Sequence, residues 1–300
     1  MKEYYRKYAD YLAERFPGRK MQKLPVNAGF TCPNRDGTKG RGGCIYCNNQ
    51  SFNPSFASKG ESVTAQLEKG KDFFARKYPD MRYLAYFQAY TNTHSSSEEH
   101  LISLYEEALA FPGVDGLIIG TRPDCMPPSL LAKLQTLNSF PGRVMIEYGA
   151  ESSHDETLNL INRCHSWTET VDACERTARA GIDCGIHLIL GLPGEDTPMM
   201  LNTVRRASEL PIQTVKFHQL QVIKGTELAR LMADGRISAH EFTVDEYLDL
   251  CAQIVKIVPG HIAIERFTSQ APENLLISPR WGLKNYQFTD MLMNRLRQLS

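Results

Sequence analysis

Between residues 23 and 223 the chain alternates short runs rich in β-branched and aromatic residues with longer helix-forming stretches, and does so six times. The runs KLPVNAGF (23–30), RYLAYFQAY (82–90), VDGLIIG (114–120), RVMIEYG (143–149), IDCGIHLILG (182–191) and TVKFHQLQVI (214–223) have the length and composition of strands. Helical patterns fill the intervals at 61–78, 97–110, 128–138, 155–163 with 168–180, and 197–209. Strands joined by helices of this length pair in parallel through right-handed crossovers. No Gly-x-Gly-x-x-Gly turn follows the first run, which argues against a dinucleotide-binding sheet. The expectation is an α/β fold: a partial (β/α)6 barrel, open at one side, with its functional groups at the C-terminal ends of the strands.

The loop leaving the first strand gathers three thiols. The stretch TCPNRDGTKGRGGCIYCNNQS (31–51) places Cys32, Cys44 and Cys47 at Cys-x11-Cys-x2-Cys spacing in a polar, glycine-rich segment, which points to a metal site. A closed zinc site takes four ligands, usually from two paired half-motifs, and here there is one Cys-x-x-Cys with one outlying Cys. An iron–sulfur cubane commonly uses four cysteines, so a cubane on three keeps one iron for a small molecule. The loop glycines allow close wrapping, and Lys39 and Arg41 are expected to offset thiolate charge. The other reading is a zinc-stabilised nucleic-acid-binding module that borrows an outside ligand such as His94 or Cys125. The other five cysteines are scattered singly, as in a reduced chain.

The 300 residues, 42% of them hydrophobic, suffice for one large core, and the formal net charge of zero gives no global argument for nucleic acid. Both ends are mildly basic. No apolar run is long enough to span a bilayer and the first residues are too charged for a secretory segment, so a cytoplasmic protein with no membrane partner is expected. The organisation expected is an N-terminal helical segment (1–22, helix 4–16), a core barrel (23–235) and an extension packed on it (236–300). In the extension, residues 226–258 read as helical, 261–267 as a possible added strand, 268–287 as irregular and 286–299 as a helix.

With a Cys-x-x-Cys closing the loop after the first barrel strand, the sequence resembles the radical S-adenosylmethionine (SAM) enzymes. EYGAESSHDETLNLINRCH (147–165), GIHLILGLPGED (185–196) and VIKGTELAR (222–230) resemble the fourth-, fifth- and sixth-strand regions of the branch with Elp3-like proteins and oxygen-independent coproporphyrinogen oxidases. FTCPNRDGTKGRGGCIYC, FQAYTNT, IGTRPDC, HDETLNLINR and ISPRWGLKN resemble the YhcC/YtqA-like family more narrowly. The resemblance implies a radical-SAM barrel in which Cys32, Cys44 and Cys47 hold a [4Fe–4S] cluster. Its remaining iron would chelate SAM, and reductive cleavage would give methionine and a 5′-deoxyadenosyl radical.

Position by position, the resemblance makes Glu151 the polar residue after the fourth strand and Arg163 the partner of the methionyl carboxylate. It sets His187 near the ribose, with Glu147 a further cofactor-binding candidate. Tyr46 would shield the cluster or adenine, and the GLPGE turn (191–195) would bring backbone to adenine. The first cysteine gap is longer than the common one, and Cys164 stands where relatives carry glycine. The implied partners are a flavodoxin- or ferredoxin-type electron donor and tRNA, whose wobble uridine would go from carboxymethylaminomethyl to aminomethyl. Arg266, Arg280, Trp281 and Lys284 are candidate RNA contacts, and a protein or small metabolite is the alternative substrate.

Overall fold

A computed structural model describes residues 4–48, 56–75 and 80–299. Residues 49–51 of the cysteine loop and 76–78 of the expected helix 61–78 lie outside the described residues. Six strands follow in order: β1 (Met21–Val26), β2 (Arg82–Phe87), β3 (Val114–Thr121), β4 (Val144–Glu151), β5 (Asp183–Leu190) and β6 (Thr214–Gln219). They pair in parallel, each with the next, and the short run at 261–267 adds a seventh parallel strand beside β6. The expected six-stranded partial barrel is therefore present and extended by one strand.

The run at 214–223 splits. After Gln219 the chain turns, and β7 (Val222–Ile223) leaves the barrel to pair antiparallel with β9 (Leu276–Ser278), inside the region read as irregular. The seventh barrel strand, β8 (Ala263–Ile264), lies between them in sequence.

Helices α3 (Val63–Ala75), α4 (Glu98–Ala110), α5 (Pro128–Leu137), α7 (Trp167–Arg179) and α8 (Thr197–Ser208) follow the strands; α2 (Pro33–Asp36) and α6 (Asp155–Leu160) are short turns near the site. Their starts are chemically marked. Ser97, Ser166 and Asp196 each accept a backbone N–H of the first turn of α4, α7 and α8. The expected helical stretch 226–258 is two helices, α9 (Glu227–Ala233) and α10 (Val244–Ile257), and α11 (Asn285–Gln298) packs on the second.

Alternation along the strands separates two packing layers. Leu24, Phe87, Ile119, Ile146, Ile186 and Phe217 face outward into the main core beneath the helices. Leu84, Ile118, Met145 and Ala263 face inward, where Tyr11, Leu12 and Phe16 of α1 (Tyr8–Arg15) meet them. The N-terminal helix thus plugs the barrel's N-terminal end. Tyr11 Oη donates to Asp183 at 2.5 Å and Arg15 Nε at 2.6 Å, fastening the plug to β5. Burying an aromatic side chain of this size contributes about 1.5–3 kcal/mol. The open seam between β1 and β8 is spanned by Lys23, whose Nζ lies 2.6 Å from Glu265. Among the described residues no helix is long and apolar enough to cross a membrane.

Candidate active site

Cys32 precedes α2, with Pro33 at its first position, and Gly37 at φ 92° ends the turn in a conformation that a Cβ would strain. Asn34 is fully buried and ties the loop down: its Nδ2 donates to Asn162 O and sits 3.7 Å from Cys44 Sγ. Asn162 Nδ2 returns a bond to Gly43 O at 2.8 Å, and Ile45 N donates to Ile161 O. The long first gap between cysteines is therefore folded against the segment after α6.

Cys32 and Cys44 are buried and Cys47 half-buried, and all three line one cavity of about 400 Å³ at the C-terminal ends of the strands. Burial, then the neighbouring Cys44 thiol, pushes the Cys47 thiol up to about 12. The cations beside them are Arg35, which lines the same cavity, and Arg163, whose Nη1 lies 3.6 Å from Cys44 Sγ. Lys39 instead pairs with Asp124 at 2.6 Å, and Arg41 stays exposed, so the positive charge nearest the thiols comes from Arg35 and Arg163 rather than from these two.

Glu151, Arg163, His187 and Glu147 also line this cavity. The register of β4 against β5 shifts between Gly149 and Glu151, and Glu151 has φ 68°. Such a bulge re-aims side chains at functional sites. It brings Glu151 Oε1 to 3.4 Å from Arg163 Nη2, which also donates to Gly149 O at 2.5 Å. A Cβ on Gly149 would fall 2.6 Å from that guanidinium, so glycine here makes room for the pair. Burial outweighs Arg163 and raises the Glu151 carboxyl above its usual range.

Glu147 has both oxygens occupied. Lys23 Nζ is 2.7 Å from Oε1; Lys216 Nζ and His187 Nε2 are 3.0 and 2.8 Å from Oε2. Both lysines also pair with Glu265, closing a ring of alternating charge. Burial works against charge on Glu147, yet Lys216 and Lys23 hold it well below the usual carboxylate range. Burial, then the Lys216 charge, lowers His187 to about 4, so its ring is neutral near pH 7.

Sequence reasoning missed Arg35, Arg122 and His218, which are among the further charged or titratable residues that line the cavity. Arg122 is 2% exposed and bound to Asp124 at 2.9 Å. Its signal was an arginine directly after an apolar strand, in IGTRPDC. Among the described residues four buried side-chain nitrogens that belong to lining residues have no partner: Arg122 Nη1, Arg163 Nε, His218 Nε2 and Arg266 Nε. Tyr46 lines the cavity as well, whereas residues 191–195 do not. Gly191 stands against Phe242, and Leu192 packs with Ile45 and Leu158.

The outside ligands of the zinc reading are engaged elsewhere, His94 Nε2 at 2.8 Å from Asp36 and Cys125 Sγ at 3.6 Å from Asp124. Neither lines the cavity. Among the described residues no three His, Cys, Asp or Glu side chains gather around a single-ion position. Three thiols on one cavity wall, with unpartnered arginine nitrogens beside them, fit a thiolate-held cluster and an anionic ligand.

This arrangement defines a class: a parallel partial barrel with a three-cysteine loop at the end of its first strand and polar groups from strands four and five facing it. A family model described as the radical SAM superfamily matches residues 31–207, and one described as the radical SAM C-terminal domain matches residues 212–298. YtqA of Bacillus subtilis (strain 168) is 34% identical over 278 residues, covering 92% of this chain and 84% of YtqA. YhcC of Escherichia coli (strain K12) is 35% identical over 264 residues, covering 88% and 83%. A tRNA uridine(34) acetyltransferase of Methanocaldococcus infernus is 25% identical over 164 residues, 54% of this chain and 30% of that protein. The solved Elp3 of that archaeon, lacking its N-terminus (1–46), superposes with a TM-score of 0.67 at 17% identity, over 93% of this chain and 63% of that one. The chain belongs to the radical SAM superfamily, in the Elp3-like branch with YhcC and YtqA as relatives, and is an enzyme of that superfamily. Membership implies a [4Fe–4S] cluster and SAM.

Proposed function

We propose that Cys32, Cys44 and Cys47 hold the cluster, that Arg163 and Glu151 bind SAM beside it, and that the substrate is a wobble uridine of tRNA. The carboxymethylaminomethyl group of that base would be converted to aminomethyl. When bound, the cluster supplies the electron that cleaves SAM to methionine and a 5′-deoxyadenosyl radical. The observation that carries the cofactor assignment is the shared cavity joining the three thiols to Arg163.

Arg163 donates from Nη1 toward Cys44 and lines the cavity, where its guanidinium suits a carboxylate in a charge-assisted contact. Glu151 is aimed by the β4 bulge at the same place, where its acceptor oxygens suit an amino group. His187, held neutral and oriented by Glu147, offers a hydrogen-bonding group to a ribose. Buried walls exclude water from the reacting centre. An electron donor of flavodoxin or ferredoxin type would serve from outside.

The tRNA substrate draws support from the relative named a tRNA uridine(34) acetyltransferase and from the exposed cations at the site's rim. Arg280 and Lys284 flank a second cleft of about 420 Å³ that shares Gln219, Gln221, Ser269 and Gln270 with the main cavity. Trp281 also lines this cleft, but its Nε1 bonds Phe242 O at 2.9 Å and its ring packs on Tyr247 and Phe288. Mass spectrometry of tRNA nucleosides from a deletion strain tests the reading. Accumulated carboxymethylaminomethyluridine is expected, and unchanged wobble uridines would remove the proposal. The cofactor part is tested separately by anaerobic reconstitution and assay for 5′-deoxyadenosine.

A further inference from the structure

Two of the four unpartnered nitrogens belong to cavity-lining residues at the β6–β8 end of the sheet. His218 faces inward from β6, and Arg266 follows β8 two residues after its end. Arg266 Nη2 lies 3.5 Å from His218 Nδ1, which also meets Ser269 Oγ. A guanidinium only donates, so His218 Nδ1 is the acceptor and the ring proton of the neutral imidazole resides on Nε2. His218 is held neutral by burial, with Arg266 adding to the effect. The two partnerless atoms, His218 Nε2 and Arg266 Nε, are therefore both donors.

The charge count points the same way. Below this corner, Lys23, Glu147, Lys216 and Glu265 neutralise one another, and His187 is neutral. Among the described residues Arg266 makes no ion pair within 4.0 Å; its neighbour Glu265 gives its oxygens to Lys23 at 2.6 Å and Lys216 at 3.1 Å. One positive charge is left over, with N–H donors around it and a low-dielectric wall behind it. Such a corner takes an anion, and the planar fork of arginine suits a carboxylate. A backbone phosphate is better met at the rim by exposed Arg280 and Lys284.

We propose that Arg266 and His218 form an oxyanion subsite that receives the carboxylate of the substrate's carboxymethylaminomethyl group. This rests on the tRNA reading above and adds to it the residues that recognise the group to be removed. Arg266, His218 and the three thiols line the same cavity, so a carboxylate anchored here keeps the substrate group in the chamber that holds the cysteines.

The test uses the full-length, anaerobically reconstituted protein and anticodon stem-loop RNAs carrying carboxymethylaminomethyluridine, aminomethyluridine or uridine at the wobble position. Wild type is expected to prefer the first, and Arg266→Gln to lose about ten- to a hundredfold of that preference, the worth of a hydrogen bond to a charged group. Arg266→Lys should retain part of it. Binding of the uridine loop and of SAM should be unchanged. A preference retained in Arg266→Gln overturns the subsite alone. Equal loss for all three RNAs assigns Arg266 to the phosphate backbone, and weakened SAM binding assigns it to the cofactor; either result overturns the proposal. No preference in wild type removes the tRNA reading and the subsite with it. If Arg266→Gln melts early, His218→Phe, which deletes the second donor, is read by the same criteria.

Discussion

Two layers of the barrel interior, one turn of strand apart, treat their charges in opposite ways. In the lower layer Lys23, Glu147, Lys216 and Glu265 form a closed ring whose carboxylate oxygens all have cationic partners. In the upper layer Arg122, Arg163, His218 and Arg266 each keep a buried nitrogen with no partner. A buried unmet donor costs about 1–3 kcal/mol, and on the functional reading proposed above a ligand would offset that cost. The lower layer is a floor that pairs its own charges and orients His187, whereas the upper layer leaves donors unpaired among the described residues. The same residue types thus divide into structure and recognition by whether their partners lie within the chain.

The largest effect belongs to the upper layer. Replacing Cys32, Cys44 or Cys47 by Ala is expected to abolish bound iron and reduce 5′-deoxyadenosine formation to background while the chain still folds. Iron and sulfide analysis after anaerobic reconstitution measures the first, chromatography of the reaction the second. A cysteine variant that retains full iron content would take that thiol out of the cluster.

The next effect tests the floor. Glu147→Ala leaves Lys23 and Lys216 each short of a partner in a buried setting, and removal of one member of a buried pair costs about 3–5 kcal/mol. Arg266→Gln, which breaks no ion pair, should cost less than about 1 kcal/mol. Denaturant unfolding of the two apo variants reads the contrast. Equal destabilisation would erase the distinction between floor and cavity.

What was legible in the sequence follows from the range of the forces involved. The six strands and their parallel order are local patterns, and the cysteine loop is a composition signal at a strand end; both are present as expected. The ring was not legible as a ring, because its members come from three strands and the residue after a fourth, far apart in sequence, although Glu147 within RVMIEYG and Lys216 within TVKFHQ are charges in otherwise buried runs. The plug formed by α1 was hidden for a similar reason: its aromatic face reads as an ordinary amphipathic helix until the barrel supplies Leu84 and Met145. Strands β7 and β9 are two and three residues long, too short for any period to register. At the site, Glu151 and Arg163 could be placed only by resemblance, because their meeting depends on a bulge that no local propensity announces.

An effect of intermediate size separates the layers by pH. The His187 pKa is lowered from 6.5 to about 4 by burial and the Lys216 charge, against the pull of Glu147. The group facing it from β6, His218, is likewise held neutral. Unfolding lets each ring regain its ordinary pKa, so between about pH 6.5 and 4 the unfolded chain binds more protons and stability falls as pH falls. One such group gives a slope of about 1.4 kcal/mol per pH unit. His187→Gln should reduce the measured slope by about that amount over this window and leave it unchanged above pH 7. An identical slope in the variant would mean that His187 is not held neutral by the floor.

The smallest expected effect concerns Cys164, at the edge of the upper layer. Its φ of 58° lies in the left-handed region, where glycine is unstrained, which accounts physically for the glycine that the resemblance expects here and makes the cysteine a strained occupant. Its Sγ lies 3.1 Å from Asn34 Oδ1, and its carbonyl accepts from Arg122 Nη2 at 3.3 Å, so the strained backbone helps position a cavity arginine. Cys164→Gly should leave stability within about 1 kcal/mol of wild type, strain relief offsetting the lost contact and the added freedom of the unfolded chain. Cys164→Val places a β-branched residue at the same φ and should cost about 1–3 kcal/mol. Denaturant unfolding of the two variants side by side decides it. If valine is tolerated as well as glycine, the left-handed backbone at this position carries no strain that could help to place Arg122.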